Sequence, residues 1–144
     1  MMNSEFKRTV QDRPGGENLS LCFSCGSCTG TCPVAEQRES FNPRLMIKKA
    51  LLGFEEELLD GEEIWQCIQC RRCVSACPQN VRFADIVRVL RRMAVEEDYC
   101  DAGLEQELDE LDKNVLRYRL NSVEEALESD RAPTEYTLEE TGGE

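Results

Sequence analysis

Five residues occur twice in the same order. Cys22, Cys25, Cys28, Cys32 and Pro33 return 45 positions later as Cys67, Cys70, Cys73, Cys77 and Pro78. The two runs use eight of the nine cysteines and leave Cys100 outside. Soft thiolate sets select iron–sulfur clusters, zinc or cuprous ions. This spacing, closing on Cys-Pro, is the one that holds [4Fe–4S] clusters in two-cluster proteins. Three thiolates two residues apart wrap one corner of a cube. The fourth is carried off by the turn before proline and ligates the other cluster. The expected ligand sets are therefore crossed: Cys22, Cys25, Cys28 and Cys77 for the first cluster, Cys67, Cys70, Cys73 and Cys32 for the second. Each cluster would then staple the two halves of the chain, so neither half should fold alone.

Structural zinc also uses paired C-x-x-C ligands. Four cysteines within eleven residues, twice over, exceed what one tetrahedral ion asks for. Disulfides fit less well still, because the spacing is too tight for several pairings to reach good bridge geometry. Two complete sets of four imply closed clusters, which carry electrons and leave no iron open to substrate. Gly26, Ser27, Thr29 and Gly30 let backbone N–H groups approach sulfur in the first loop, and such contacts tune potentials. Arg71 and Arg72 occupy the second loop. Positive charge there favours the reduced cluster, which predicts a higher potential for the second cluster; the alternative is two solvated surface arginines.

With 144 residues the chain suggests one domain. Much of it lies outside the cysteine runs, so metal ligation is expected to supply a large share of the folding free energy. A net charge of −12 argues against nucleic acid, which needs a basic face, and against an anionic membrane surface. No apolar run approaches the ~20 residues of a membrane span, and nothing resembles a signal peptide. The expected setting is a reducing cytoplasm. There is no histidine and no glycine-rich nucleotide motif, so no reaction centre is visible.

The expected order along the chain is helical. Residues 1–17 read as an arm, with a short extended segment over Glu5–Val10 and a turn at Pro14-Gly15-Gly16. Residues 18–100 form the cluster domain. Within it, Asn42-Pro43 opens a helix that stops at Gly53, a short helix covers Glu55–Leu59, and Asp60-Gly61 turns toward Trp65, read as a core aromatic. Asn80 takes a left-handed turn. A helix then runs from about Ala84 to Glu97 with Ile86, Val89, Leu90 and Met93 inward; Arg82, Arg88, Arg91 and Arg92 are assigned to its solvated face. Residues 101–129 form a helical extension for subunit docking. There Leu104, Leu108, Leu111, Val115 and Tyr118 make a two-heptad stripe, and Ser122-x-x-Glu125 resembles a capping box opening a further short helix. Residues 130–144 read as a flexible acidic tail. Cys100 is read as an inert thiol.

From Asn18 to Ala94 the chain resembles the C component of heterodisulfide reductase, the small iron–sulfur subunit of that enzyme in methanogens and other anaerobes. The resemblance rests on both cysteine runs, the Asn42-Pro43 helix start, the Gly53 and Gly61 turns, Ile64-Trp65, and the Val81–Met93 helix. Two departures, Asn80 for a usual glycine and Arg82 for a usual acidic residue, concern a helix entry and not the ligands. The resemblance implies a mainly α, helical ferredoxin-like domain binding two [4Fe–4S] clusters. It further implies a hetero-oligomer. In it, electrons pass from a flavin-containing A component to a B component that reduces the coenzyme M–coenzyme B disulfide, as in methanogenesis. The competing reading is the iron–sulfur subunit of a quinone-linked dehydrogenase or of another anaerobic oxidoreductase complex. Such subunits usually carry an additional N-terminal [2Fe–2S] domain or a cysteine-rich C-terminal half, and no cysteine precedes Cys22.

Overall fold

The computed structural model describes residues 2–128, and among these there are helices and turns but no strand. Contacts divide the chain into two compact units, Met1–Ala102 and Gly103–Glu144.

In the first unit the central element is α8, Phe83–Glu96. It buries Phe83, Ala84, Ile86, Val87, Val89, Leu90, Met93 and Ala94, so most of its circumference faces protein. Around it pack α1 (Phe6–Gln11), α5 (Glu55–Leu59), α6 (Glu63–Gln66) and α7 (Arg72–Ala76). Helix α4 (Pro43–Leu52) packs on α1 and α5 and on α2 (Ser27–Gly30). The short α3 (Pro33–Gln37) follows α2. Phe41 meets Phe83 edge to face, with ring centroids 6.5 Å apart, a favoured aromatic geometry.

Helix α4 follows its sequence signals closely. The Asn42 side chain accepts the Leu45 N–H, Pro43 fills the first helical position, and Gly53 ends the helix in the left-handed conformation at φ 82°. Only glycine suits Gly53 for a second reason: a Cβ there would overlap the Asn3 carbonyl. The Asn3 N–H donates to the Gly53 carbonyl at 2.7 Å, which ties the start of the chain to this turn. Helix α5 spans Glu55–Leu59 as expected, and Asn80 takes φ 53°.

Two expectations fail for identifiable reasons. The segment Glu5–Val10 is helical, not extended. Phe6 and Val10, four residues apart, lie on one face of α1 and are fully buried. Burying each contributes roughly 1.5–3 kcal/mol, so tertiary packing overrides the weak propensity of a six-residue helix. The first seventeen residues therefore belong to the compact unit. Second, α9 runs unbroken from Leu104 to Glu128. The Ser122 hydroxyl donates to the Tyr118 carbonyl four residues back, an interior helix contact and not a cap. Along α9 no residue is buried, and Leu111, Val115, Leu116 and Tyr118 are exposed. The acidic tail expected over 130–144 lies outside the described residues.

Candidate metal centres

The two cysteine runs fold alike. Each opens on an extended cysteine, Cys22 at φ −68° or Cys67 at φ −67°. Each then passes through a left-handed residue, Ser24 (φ 61°) or Gln69 (φ 54°), and a second one, Gly26 (φ 85°) or Arg71 (φ 62°), that starts a one-turn helix. Each ends on an extended cysteine before proline, Cys32 or Cys77. The one-turn helices α2 and α7 pack against each other. They place Cys28 and Cys73, the only buried members of the set, at the centre, and leave Cys25 and Cys70 exposed at the rims.

This packing produces two cavities. One, about 370 Å³ including space open to solvent, is lined by Cys22, Cys25, Cys28, Cys73 and Cys77. The other, about 300 Å³, is lined by Cys32, Cys67, Cys70 and Cys73. Cys73 therefore borders both.

The donors suit an iron–sulfur body in three respects. All are sulfur. They ring each cavity instead of converging: among the described residues no three Cys, Asp or Glu side chains approach one point closely enough for a single ion, whereas a cube brings its own bulk. Third, N–H groups already point at sulfur. The Ser24 N–H donates to Cys22 Sγ and the Val81 N–H to Cys77 Sγ, both at 3.4 Å, and Gln69 Nε2 donates to Cys67 Sγ at 3.5 Å. Gln69 thereby leaves its buried Oε1 without a partner, an arrangement that favours an anionic sulfur.

Burial pushes the Cys28 and Cys67 thiols up, and the Cys73 thiol up to about 11. Cys25 goes the other way, lowered chiefly by its hydrogen bond with Ser27. Without metal the inner thiols hold their protons, which coordination must displace.

The first run is braced against α4. The Thr29 hydroxyl donates to Asn42 Oδ1 at 3.0 Å and accepts the Arg44 N–H at 3.1 Å. The second run is braced by arginines. Arg71 grips Asp85 through two hydrogen bonds, at 3.0 and 3.2 Å, and Arg82 Nε donates to the same carboxylate at 2.6 Å. The charge of Arg71 is thus balanced by Asp85, which weakens its contribution to the higher potential expected of the second cluster. A left-handed arginine costs roughly 1–2 kcal/mol, offset here by the forked pair. Partial burial raises the Asp85 carboxyl, but its bonds to Arg71 and Arg82 outweigh that and hold it below its ordinary value. The stabilisation is therefore complete above about pH 4 and fades as pH falls through the native pKa. Because both arginines are nearly half exposed, the discounted expectation for Asp85→Asn is a loss of about 1 kcal/mol at neutral pH. A lowered urea midpoint would register it; an unchanged midpoint would mean that the fork does not support the second run.

Arg91 departs from its expected place on the solvated face of α8: it is 6 % exposed. Its Nε donates to the Ile64 carbonyl at 2.8 Å, and its Nη2 to the carbonyls of Trp65 at 3.1 Å and Cys67 at 2.7 Å. The guanidinium carbon lies 5.5 Å from the centroid of the half-buried Trp65 ring. Arg82, Arg88 and Arg92 are exposed as expected. Cys100 is half-buried against the core.

Comparison with known proteins points to the same class of cofactor. Residues 18–81 match the family described as 4Fe-4S dicluster domain. The chain is 33 % identical over 98 residues to the C component of the H(2):CoB-CoM heterodisulfide,ferredoxin reductase of Methanothermobacter thermautotrophicus, covering 68 % of this chain and 52 % of that one. It is 35 % identical over 96 residues to the C-type iron-sulfur subunit of the CoB--CoM heterodisulfide reductase of Methanopyrus kandleri, covering 67 % and 50 %. It is 39 % identical over 84 residues to the C component of the ferredoxin:CoB-CoM heterodisulfide reductase of Methanosarcina acetivorans, covering 58 % and 33 %. The chain thus spans about half the length, or less, of these curated relatives. A dicluster domain with two full sets of cysteines houses two [4Fe–4S] clusters.

Proposed function

This chain is a homologue of the C component of heterodisulfide reductase, with a 4Fe-4S dicluster domain over residues 18–81, and on that premise we propose that it is the electron-transfer subunit of a heterodisulfide-reductase-type complex. In this reading it works in the cytoplasm between two partners. One is a flavin-containing protein like the A component; the other, like the B component, reduces the coenzyme M–coenzyme B disulfide. The clusters supply one-electron redox chemistry. The chain holds them, fixes their spacing and limits their contact with water.

The observation that carries the reading is the composition of the two cavities: each is lined by three cysteines of one run and the last cysteine of the other, with Cys73 bordering the first cavity as well. Cys22, Cys25, Cys28 and Cys77 are the ligands proposed for the first cluster. Cys67, Cys70, Cys73 and Cys32 are those proposed for the second, with Cys73 assigned there because it follows Cys67 and Cys70 in the same run and lines their cavity. Supporting the relay role, α2 and α7 pack directly together, so little protein separates the two sites. Each site also has one exposed cysteine at its rim, Cys25 or Cys70, where a partner's cofactor can approach. Among the described residues no helix is long and apolar enough to cross a membrane.

Anaerobic affinity purification from the native host tests this. The expected product is brown, carries about eight irons per chain, and arrives with a flavoprotein and a disulfide-reducing protein. Its visible band should bleach when the flavoprotein's reductant is added and recover on adding the heterodisulfide. Recovery with a cytochrome-bearing membrane anchor, with no response to heterodisulfide, would move the chain to a quinone-linked complex.

A further inference from the structure

The geometry points to Arg91 as the positioning residue that sets the reduction potential of the second cluster apart from that of the first. This rests on the assignment of Cys67 as a ligand of that cluster.

Arg91 belongs to α8, the most deeply embedded helix of the unit, and is the one buried charged residue among the described residues. Burying a guanidinium is costly unless its donors are met. Here they reach three carbonyls close together along the chain, those of Ile64, Trp65 and Cys67. These are the residues that lead into the second run. A planar fork with several fixed donors can hold three carbonyls at once, which an ammonium does less well. The shortest Nη2 contact, 2.7 Å, is to the carbonyl of Cys67 itself, whose sulfur lines the second cavity. Arg91 thus fixes both where that sulfur begins and how close a cationic group lies to it.

The first run has no such group. Its opening cysteine, Cys22, follows a single turn at Leu19–Leu21. The cation lining its cavity, Arg44, is exposed and sits by the rim at Cys25. A cation near a cluster stabilises the reduced, more negative form. A buried one is far less screened than an exposed one. The two runs share their backbone path, so this difference in surroundings separates the two potentials, with the second higher. The asymmetry expected from Arg71 and Arg72 is relocated to a residue outside the loop.

Redox titration followed by electron paramagnetic resonance, on the anaerobically purified chain, tests this. Wild type must first show two clusters; if it does not, the ligand assignment has failed and Arg91 is not at issue. Cys70→Ser identifies the second cluster's signal as the one lost or altered. Arg91→Gln should then lower the reduction equilibrium constant of that cluster about tenfold, a midpoint fall of about 59 mV for a one-electron couple, with the first unmoved. Arg91→Lys, which keeps the charge, should retain both clusters and hold the second within about twofold of wild type. Should Arg91→Gln shed iron, the loss should be confined to the second cluster, leaving about four irons per chain. Equal shifts at both clusters, no shift at either, loss of both, or a Lys variant that falls as far as Gln would each overturn the inference.

Discussion

Replacing Cys32 with serine should empty the downstream site and spare the near one. Iron content is expected to fall from about eight to about four per chain, and the surviving signal should be the one that Cys25→Ser abolishes. The reason lies in the chain path. After Cys28 the backbone completes α2, and Cys32 is extended at φ −81° before Pro33 starts α3. That step takes the sulfur out of the cavity lined by its own neighbours and onto the wall shared with Cys67 and Cys70. The reciprocal variant, Cys77→Ser, should strip the other site. If Cys32→Ser and Cys25→Ser remove the same signal, ligation is local and the crossed assignment is wrong.

Removing all iron should have a still larger effect. Structural metal sites in small domains contribute on the order of 10–16 kcal/mol, against roughly 5–15 kcal/mol for the net stability of a domain of about a hundred residues. The apolar core is real, but of its buried residues the two cysteine runs supply only Cys28 and Cys73. Those runs also carry left-handed Ser24, Gln69 and Arg71, each strained by roughly 1 kcal/mol or more. Cluster ligation and a few side-chain contacts must offset that strain. Chelation under anaerobic, reducing conditions should therefore abolish the cooperative melting of residues 2–102 and most of their far-ultraviolet helical signal, and expose that unit to rapid proteolysis. A metal-free protein that melts as cooperatively as the loaded one would show that the helices alone suffice.

Whatever depends on spacing, or on one residue's local chemistry, is legible in the sequence. The repeat names the cofactor. Asn42, Pro43 and Gly53 mark the ends of α4, and Asn80 its left-handed turn, because caps and turns are settled within four residues. What stays hidden depends on which residues meet in space. Helix α1 is too short to be stable alone, and only the burial of Phe6 and Val10 makes it a helix. Ser122-x-x-Glu125 is a start signal in isolation, but α9 is already running when the chain reaches it. Arg91 escapes because a charged side chain points to solvent. Yet Ala84, Val87, Arg91 and Ala94 are spaced 3, 4 and 3 along α8, and all four are buried. The periodicity holds the signal, and the residue type conceals it.

The segment around α1 closes over elements that come much later in the chain. Arg13 pairs with Glu96 at 2.6 Å, Arg92 reaches the Pro14 carbonyl at 3.2 Å, and α1 lies on both α4 and α8. On the ribosome this segment emerges ahead of the helix it covers and must wait for it. At a synthesis rate of ~5–20 residues per second, about 4–17 s separate Phe6 from Met93. Through much of that interval Cys22, Cys25 and Cys28 are already made, while Cys77, the fourth ligand proposed for their cluster, and α8 are not. On the proposed ligand sets neither site is complete until the second run has emerged, so both clusters are finished only late in synthesis.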